Sequence, residues 1–150
     1  MTAVPPKVAL AGDRFDLSGP PPALGSAVAA PGAGARALYA APCLEAHPTA
    51  AAAAFARAAA ARRPGLGLIA LSADDAEVRA RWCRDAGWRP GACDLDTAAR
   101  LGIWLPRLGL FPCALLVVDG RGRLRHAEVA ARLDGAPDFA AALAVIGRLA

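Results

Sequence analysis

Lysine is almost missing from this sequence. Of its 17 basic residues only Lys7 is a lysine, and the rest are arginines. Against 13 acidic residues they leave a net charge of +4. The arginines are scattered, with no run longer than Arg62-Arg63 and no aromatic residues interleaved. A nucleic-acid surface asks for a clustered basic face, so none is expected here. Arginine alongside abundant alanine, glycine and proline fits codon bias in a GC-rich genome. Aromatic residues are also scarce, at 5%. The core must therefore be built from Leu, Val, Ile and Ala around a few rings. No uninterrupted apolar stretch is long enough to span a bilayer. The first twenty residues lack the charged start and apolar centre of a signal peptide. A cytoplasmic protein with no membrane contact is expected.

Other signatures are absent too. No glycine-rich phosphate loop follows a strand, and Gly32-Ala33-Gly34 alone is not one. Three residues separate Cys43 from His47, but Cys83, Cys93 and His126 add no paired metal-ligand spacing. No metal and no cofactor are expected. The 4 cysteines, Cys43, Cys83, Cys93 and Cys113, read as thiols rather than structural bridges in a reducing compartment.

The 150 residues suffice for one domain with a real core, covering 1–150. Residues 8–17 alternate in polarity around Gly12-Asp13 and predict a hairpin. The Pro, Gly and Ala of residues 19–34 predict a loop. Ala37 to Ala41 predicts a short buried strand. Alanine-rich Thr49 to Arg63 predicts a helix stopped by Pro64-Gly65. Gly67 to Leu71 predicts a central strand, and Asp75 to Ala86 a second helix ended by Gly87. A short helix over Asp96 to Leu101 follows. Ala114 to Val118 is the clearest strand, and a turn at residues 119–122 sends Leu124 to Val129 back antiparallel. Phe139, Leu143, Ile146 and Leu149 sit at helical spacing in a last helix expected to reach the C-terminus. This order describes an α/β sandwich of thioredoxin-like type.

Four segments in sequence carry a more specific likeness. They are Val8 to Gly19 with Leu24-Gly25, Leu71-Ser-Ala-Asp74 running to Arg81-Trp82-Cys83 and Gly87, Leu115 to Asp119 with Gly120 and Gly122, and Ala136-Pro137-Asp138-Phe139 to Leu143. Their ordered succession resembles the atypical two-cysteine thiol peroxidases of the peroxiredoxin family. The resemblance implies a thioredoxin-like, peroxiredoxin-type sandwich with an N-terminal β-hairpin. It implies a hydroperoxide substrate, a thioredoxin-like reductant and a homodimer. It gives Cys83 the place of the resolving cysteine.

The departures fall on the chemistry. The family signature is Pro-x-x-x-Thr-x-x-Cys. Aligned on Pro42, Ala46 stands at the threonine and Thr49 at the peroxidatic cysteine. The family's arginine falls on Cys113, and residues 26–36 lack the usual strand and turn. A threonine hydroxyl stays protonated near neutrality and forms no sulfenic acid, so Thr49 reads as a helix cap. Cys43, six residues earlier beside Pro42, is the alternative thiol; His47 reads either as a partner that raises its reactivity or, more simply, as an exposed loop histidine. Its bland reading is a small apolar residue filling a strand end. Without a partner, Cys83 reads as a half-buried helix residue. Three functions remain open: a thiol peroxidase-like protein using Cys43 and Cys83, a non-catalytic binding or regulatory module, and a decayed copy without activity.

Overall fold

Strand Arg36–Ala41 is buried at every position, which marks it as the centre of a sheet covered on both faces. A computed structural model describes residues 7–46 and 49–149. The chain order is β1 (Lys7–Leu10), β2 (Asp13–Asp16), β3 (Arg36–Ala41), α1 (Thr49–Arg62), β4 (Gly67–Ser72), α2 (Ala76–Ala86), β5 (Arg89–Pro90), α3 (Leu95–Arg100), β6 (Ala114–Val118), β7 (Leu124–Val129) and α4 (Phe139–Ile146). A 3-10 turn, Leu44–Ala46, lies between β3 and α1. The main sheet runs β5-β4-β3-β6-β7. β3 pairs parallel with β4 and antiparallel with β6.

Period-two alternation divides the core. Ala37, Tyr39 and Ala41 of β3 face the helical layer, with Leu115 and Val117 of β6. Leu38 and Ala40 face the other way, with Leu116 and Val118, onto Leu101, Ile103 and Leu105. The scarce rings are concentrated on the helical side. Tyr39 lies 6.0 Å from Trp82, 5.6 Å from Trp88 and 5.8 Å from Phe139 between ring centroids. Phe55 stacks on Trp88 at 5.7 Å. Each such pair contributes roughly 0.5–1.5 kcal/mol beyond its buried area. On α1 the buried residues Ala52, Phe55, Ala56 and Ala59 form one helical stripe. Their small side chains let α1 pack closely on α2 and α4.

Helix α2 is closed at both ends. The Asp75 carboxylate accepts the Val78 N–H at 2.9 Å. Gly87 adopts φ 82° and returns its N–H to the Cys83 carbonyl. The N-terminal hairpin docks behind β7: the Ala9 N–H donates to the Ala131 carbonyl at 2.8 Å and Val8 is 1% exposed. Gly102, at φ 71°, brings its backbone against Pro20 and Pro21; a Cβ there would lie 2.6 Å from the Pro21 nitrogen.

Two expectations need correction. The last helix stops at Ile146 and Gly147 caps it, so it does not continue to the C-terminus. A two-residue strand, β5, joins the sheet edge through Ile69–Arg89 and Ala70–Pro90 pairing. It was hidden in sequence by its length and by its proline, which is tolerated because an edge strand needs fewer donors. Within residues 26–36, Ala27 forms an isolated bridge with Arg123 and the rest is loop up to β3.

Candidate functional site

The β3–β4 register aligns Ala41 with Ser72. Two residues beyond each strand end stand Cys43 and Asp74, and they meet. The Asp74 Oδ2 accepts the Leu44 N–H at 3.0 Å, and the Cys43 thiol and Ser72 hydroxyl also hydrogen-bond this carboxylate. Burial alone would raise the Asp74 pKa. The Leu44 N–H, Ser72, Cys43 and the charge of Arg79 together lower it. Arg79 Nη1 donates to the Asp74 carbonyl at 3.1 Å, while its Nε is buried with no hydrogen-bond partner among the described residues. Glu45 of the 3-10 turn and Arg81 of α2 close the same region with a 3.1 Å ion pair, half exposed on both sides.

Cys83 lies one helical turn after Arg79. The half-buried position expected from sequence is corrected here: Cys83 is 1% exposed, within the core beside the rings. Burial pushes its thiol up to about 11, against the opposing charge of Arg79. The cause is the amphipathic register of α2, which turns Trp82, Cys83 and Ala86 inward together.

Thr49 is the first residue of α1. The Trp82 Nε1–H donates to its Oγ1 at 3.1 Å. A buried indole N–H needs an acceptor, and the threonine hydroxyl supplies it. The structure thus gathers Cys43, Thr49 and Cys83 around α2, through Asp74–Arg79 on one side and Trp82 on the other. No disulfide joins any of the cysteines. His47 lies outside the described residues.

Cys113, at the expected arginine position, is fully buried, with its Sγ 3.9 Å from the Tyr39 hydroxyl. Burial pushes its thiol up to about 11; Tyr39 opposes this and Glu128 adds to it. The Tyr39 hydroxyl is itself raised above its ordinary value, by burial first and then by Cys113. Cys93 stands apart beside Asp94, half-buried, and is likewise pushed up to about 11, by burial first. Among the described residues no cluster of three or more His, Cys, Asp or Glu is placed to hold a metal ion. No helix among them is long and apolar enough to cross a membrane.

The two aspartates at the start of α2 divide the work: Asp75 caps the helix and Asp74 turns back to the Cys43–Leu44 segment. Arg79 and Trp82 were missed as site residues. The signal for Trp82 was available, since a tryptophan beside an inward-facing cysteine has an N–H to satisfy.

No family model and no curated protein matches the sequence. Solved structures do. A peroxiredoxin-like protein from Aquifex aeolicus superposes with a TM-score of 0.77 at 16% identity, over 95% of this chain and 96% of its own. A thiol peroxidase from Chromobacterium violaceum gives 0.73 at 16% identity, over 97% of each chain. A cysteine-to-serine variant of peroxiredoxin 6 from Arenicola marina gives 0.62 at 18% identity, over 83% of this chain and 71% of its own. With its five-stranded mixed sheet, its helices and its N-terminal hairpin, the chain has the thioredoxin-like fold of the peroxiredoxins.

Proposed function

We propose that this chain, as one domain over residues 1–150, is a thiol peroxidase-like protein in which Thr49 takes the place of the family's peroxidatic cysteine and slow thiol-dependent reduction of hydroperoxides rests on Cys43. The observation that carries this reading is the Trp82–Thr49 hydrogen bond at 3.1 Å. Peroxide reduction transfers one oxygen from ROOH to a thiolate, giving a sulfenate and ROH. The thiolate needs a site that favours its charge. At this helix start the corresponding group is a hydroxyl engaged by an indole, and the arginine position holds a buried thiol. Cys43 is half-buried and bonded to a carboxylate, whereas Cys83 is enclosed in the core. Cys83 is 1% exposed, so an oxidant or a reductant from solution reaches its sulfur only when α2 opens.

The expected substrate, if Cys43 is used, is a hydroperoxide, and the expected reductant is a thioredoxin-like protein in the cytoplasm. A homodimer belongs to the same reading. The second reading is a non-catalytic binding or regulatory module of peroxiredoxin fold, favoured by the burial of Cys83 and Cys113. Peroxide consumption with thioredoxin, its reductase and NADPH, followed by disulfide mapping on the same sample, separates the two. Slow turnover abolished in Cys43→Ser supports the first. A flat trace with all thiols unmodified at modest peroxide removes it and leaves the second. Rapid turnover that survives Cys43→Ser overturns the role of Cys43.

A further inference from the structure

A second feature lies at the other end of the sheet. β6 runs antiparallel to β3 and places Val118 opposite Arg36, so the turn after β6 is remote from Cys43, which follows Ala41. There β7 and α4 enclose a groove. Two hollows of about 430 and about 420 Å³ adjoin there and share Arg125, Val145 and Arg148 in their linings. Arg121 and Leu149 extend one end, and Leu24 and His126 the other.

The groove's charge is uneven. Its carboxylate, Asp119, is already engaged: Oδ1 accepts the Arg121 and Arg123 N–H groups, and Oδ2 accepts Arg125 Nε at 2.8 Å. The Asp119 side chain is 11% exposed and that of Arg125 44%, so a covered acid orients an open guanidinium. The terminal nitrogens of Arg125, and the guanidinium groups of Arg121 and Arg148, make no hydrogen bond among the described residues. The floor carries His126, 5% exposed, whose Nε2 stands 3.6 Å from Glu128 Oε1. Neither of those two buried atoms has a hydrogen-bond partner among the described residues.

We propose that this groove binds a small organic anion, a carboxylate or phosphate carried on an apolar body. Guanidinium forks match the planar oxygens of either group. Val145, Leu149 and Leu24 offer the apolar body a wall that a bare inorganic ion would not use. Each hollow falls within the roughly 300–1,000 Å³ typical of small-molecule sites. This site is independent of the thiol chemistry at Cys43.

The test is an NMR titration of the amide resonances with four probes: phenyl phosphate, phenylacetate, benzyl alcohol and inorganic phosphate. At least one aromatic anion is expected to shift residues 119–126 and 141–149, and which one does so decides between phosphate and carboxylate. Its affinity is expected to fall by about tenfold in Arg148→Gln and in Arg125→Gln, each removing a charge-assisted contact. Arg89→Gln, at an exposed arginine of β5, is expected to leave it unchanged. Benzyl alcohol and inorganic phosphate are expected to bind more weakly than the aromatic anion. No shift up to about 10 mM probe, which puts any Kd well above that concentration, overturns the proposal. So does an equal loss in Arg89→Gln, or inorganic phosphate binding as tightly as phenyl phosphate.

Discussion

The Trp82 indole donates to the Thr49 hydroxyl across a 3.1 Å gap, fastening α2 to the start of α1. Trp82 is 4% exposed, so its N–H has little access to water. Thr49→Val keeps the shape and removes the acceptor. The variant is expected to lose about 1–3 kcal/mol, the cost of leaving a buried donor unsatisfied, while Thr49→Ser stays near wild type. Urea denaturation monitored by tryptophan fluorescence checks both. Equal stability of Thr49→Val and wild type would mean that the bond contributes nothing.

Placing a cysteine at this position tests the site around it. Thr49→Cys puts a thiol at the start of α1, where the sequence resemblance aligns the family's peroxidatic cysteine, while Ala46 and Cys113 stand where it aligns the threonine and arginine. Without those groups nothing orients peroxide or stabilises the leaving hydroxide. Sulfenate trapping with dimedone is expected to give a rate close to that of an ordinary exposed thiol. A rate a hundredfold or so higher, about 2.7 kcal/mol of extra transition-state stabilisation, would show that the site keeps its catalytic surroundings.

Much of the fold was legible because its signals are local. The alanine run before Pro64-Gly65 gave α1, and the apolar runs of β3, β4 and β6 gave the sheet centre. The candidate site was only half legible. Cys43 and Asp74 are adjacent because two parallel strands end level, a fact that lives in register rather than in either segment. The register of α2 turns Cys83 inward, but how deep that face sits depends on Trp82 packing onto Tyr39, a contact between segments far apart in sequence. The groove at Arg125 was invisible for the same reason: scattered arginines converge only after β7 and α4 pack together.

Acid should reveal the β6–β7 turn. Asp119 is held down to about 2, by the Arg123 N–H first and then by Arg125. An unfolded aspartate titrates near 3.9, so the unfolded chain takes up the proton first as pH falls. The stabilisation is therefore complete above about pH 4 and lost as pH drops through the folded value. Asp119→Asn is expected to be less stable than wild type at neutral pH, with the gap closing between about pH 4 and pH 2. Urea midpoints at four pH values measure it, and a gap that stays constant to pH 2 would contradict the assignment.

Thiol labelling reads the whole arrangement at once. Cys43 and Cys93 are half-buried, while Cys83 and Cys113 are 1% and 0% exposed. The Cys83, Cys93 and Cys113 thiols are each pushed up to about 11 by burial, so little thiolate exists in any of them at neutral pH. Reaction with iodoacetamide requires both access and thiolate. Cys43 is expected to label first and Cys93 more slowly. Cys83 and Cys113 are expected to label only at the rate of global opening, and together. Adding urea below the midpoint should accelerate those two in proportion while leaving Cys43 nearly unchanged. Peptide mass mapping of a time course distinguishes the sites. Labelling of Cys83 ahead of Cys113 in native buffer would mean that α2 opens by itself. That motion would bring Cys83 within reach of Cys43 and favour a working disulfide pair over a silent module.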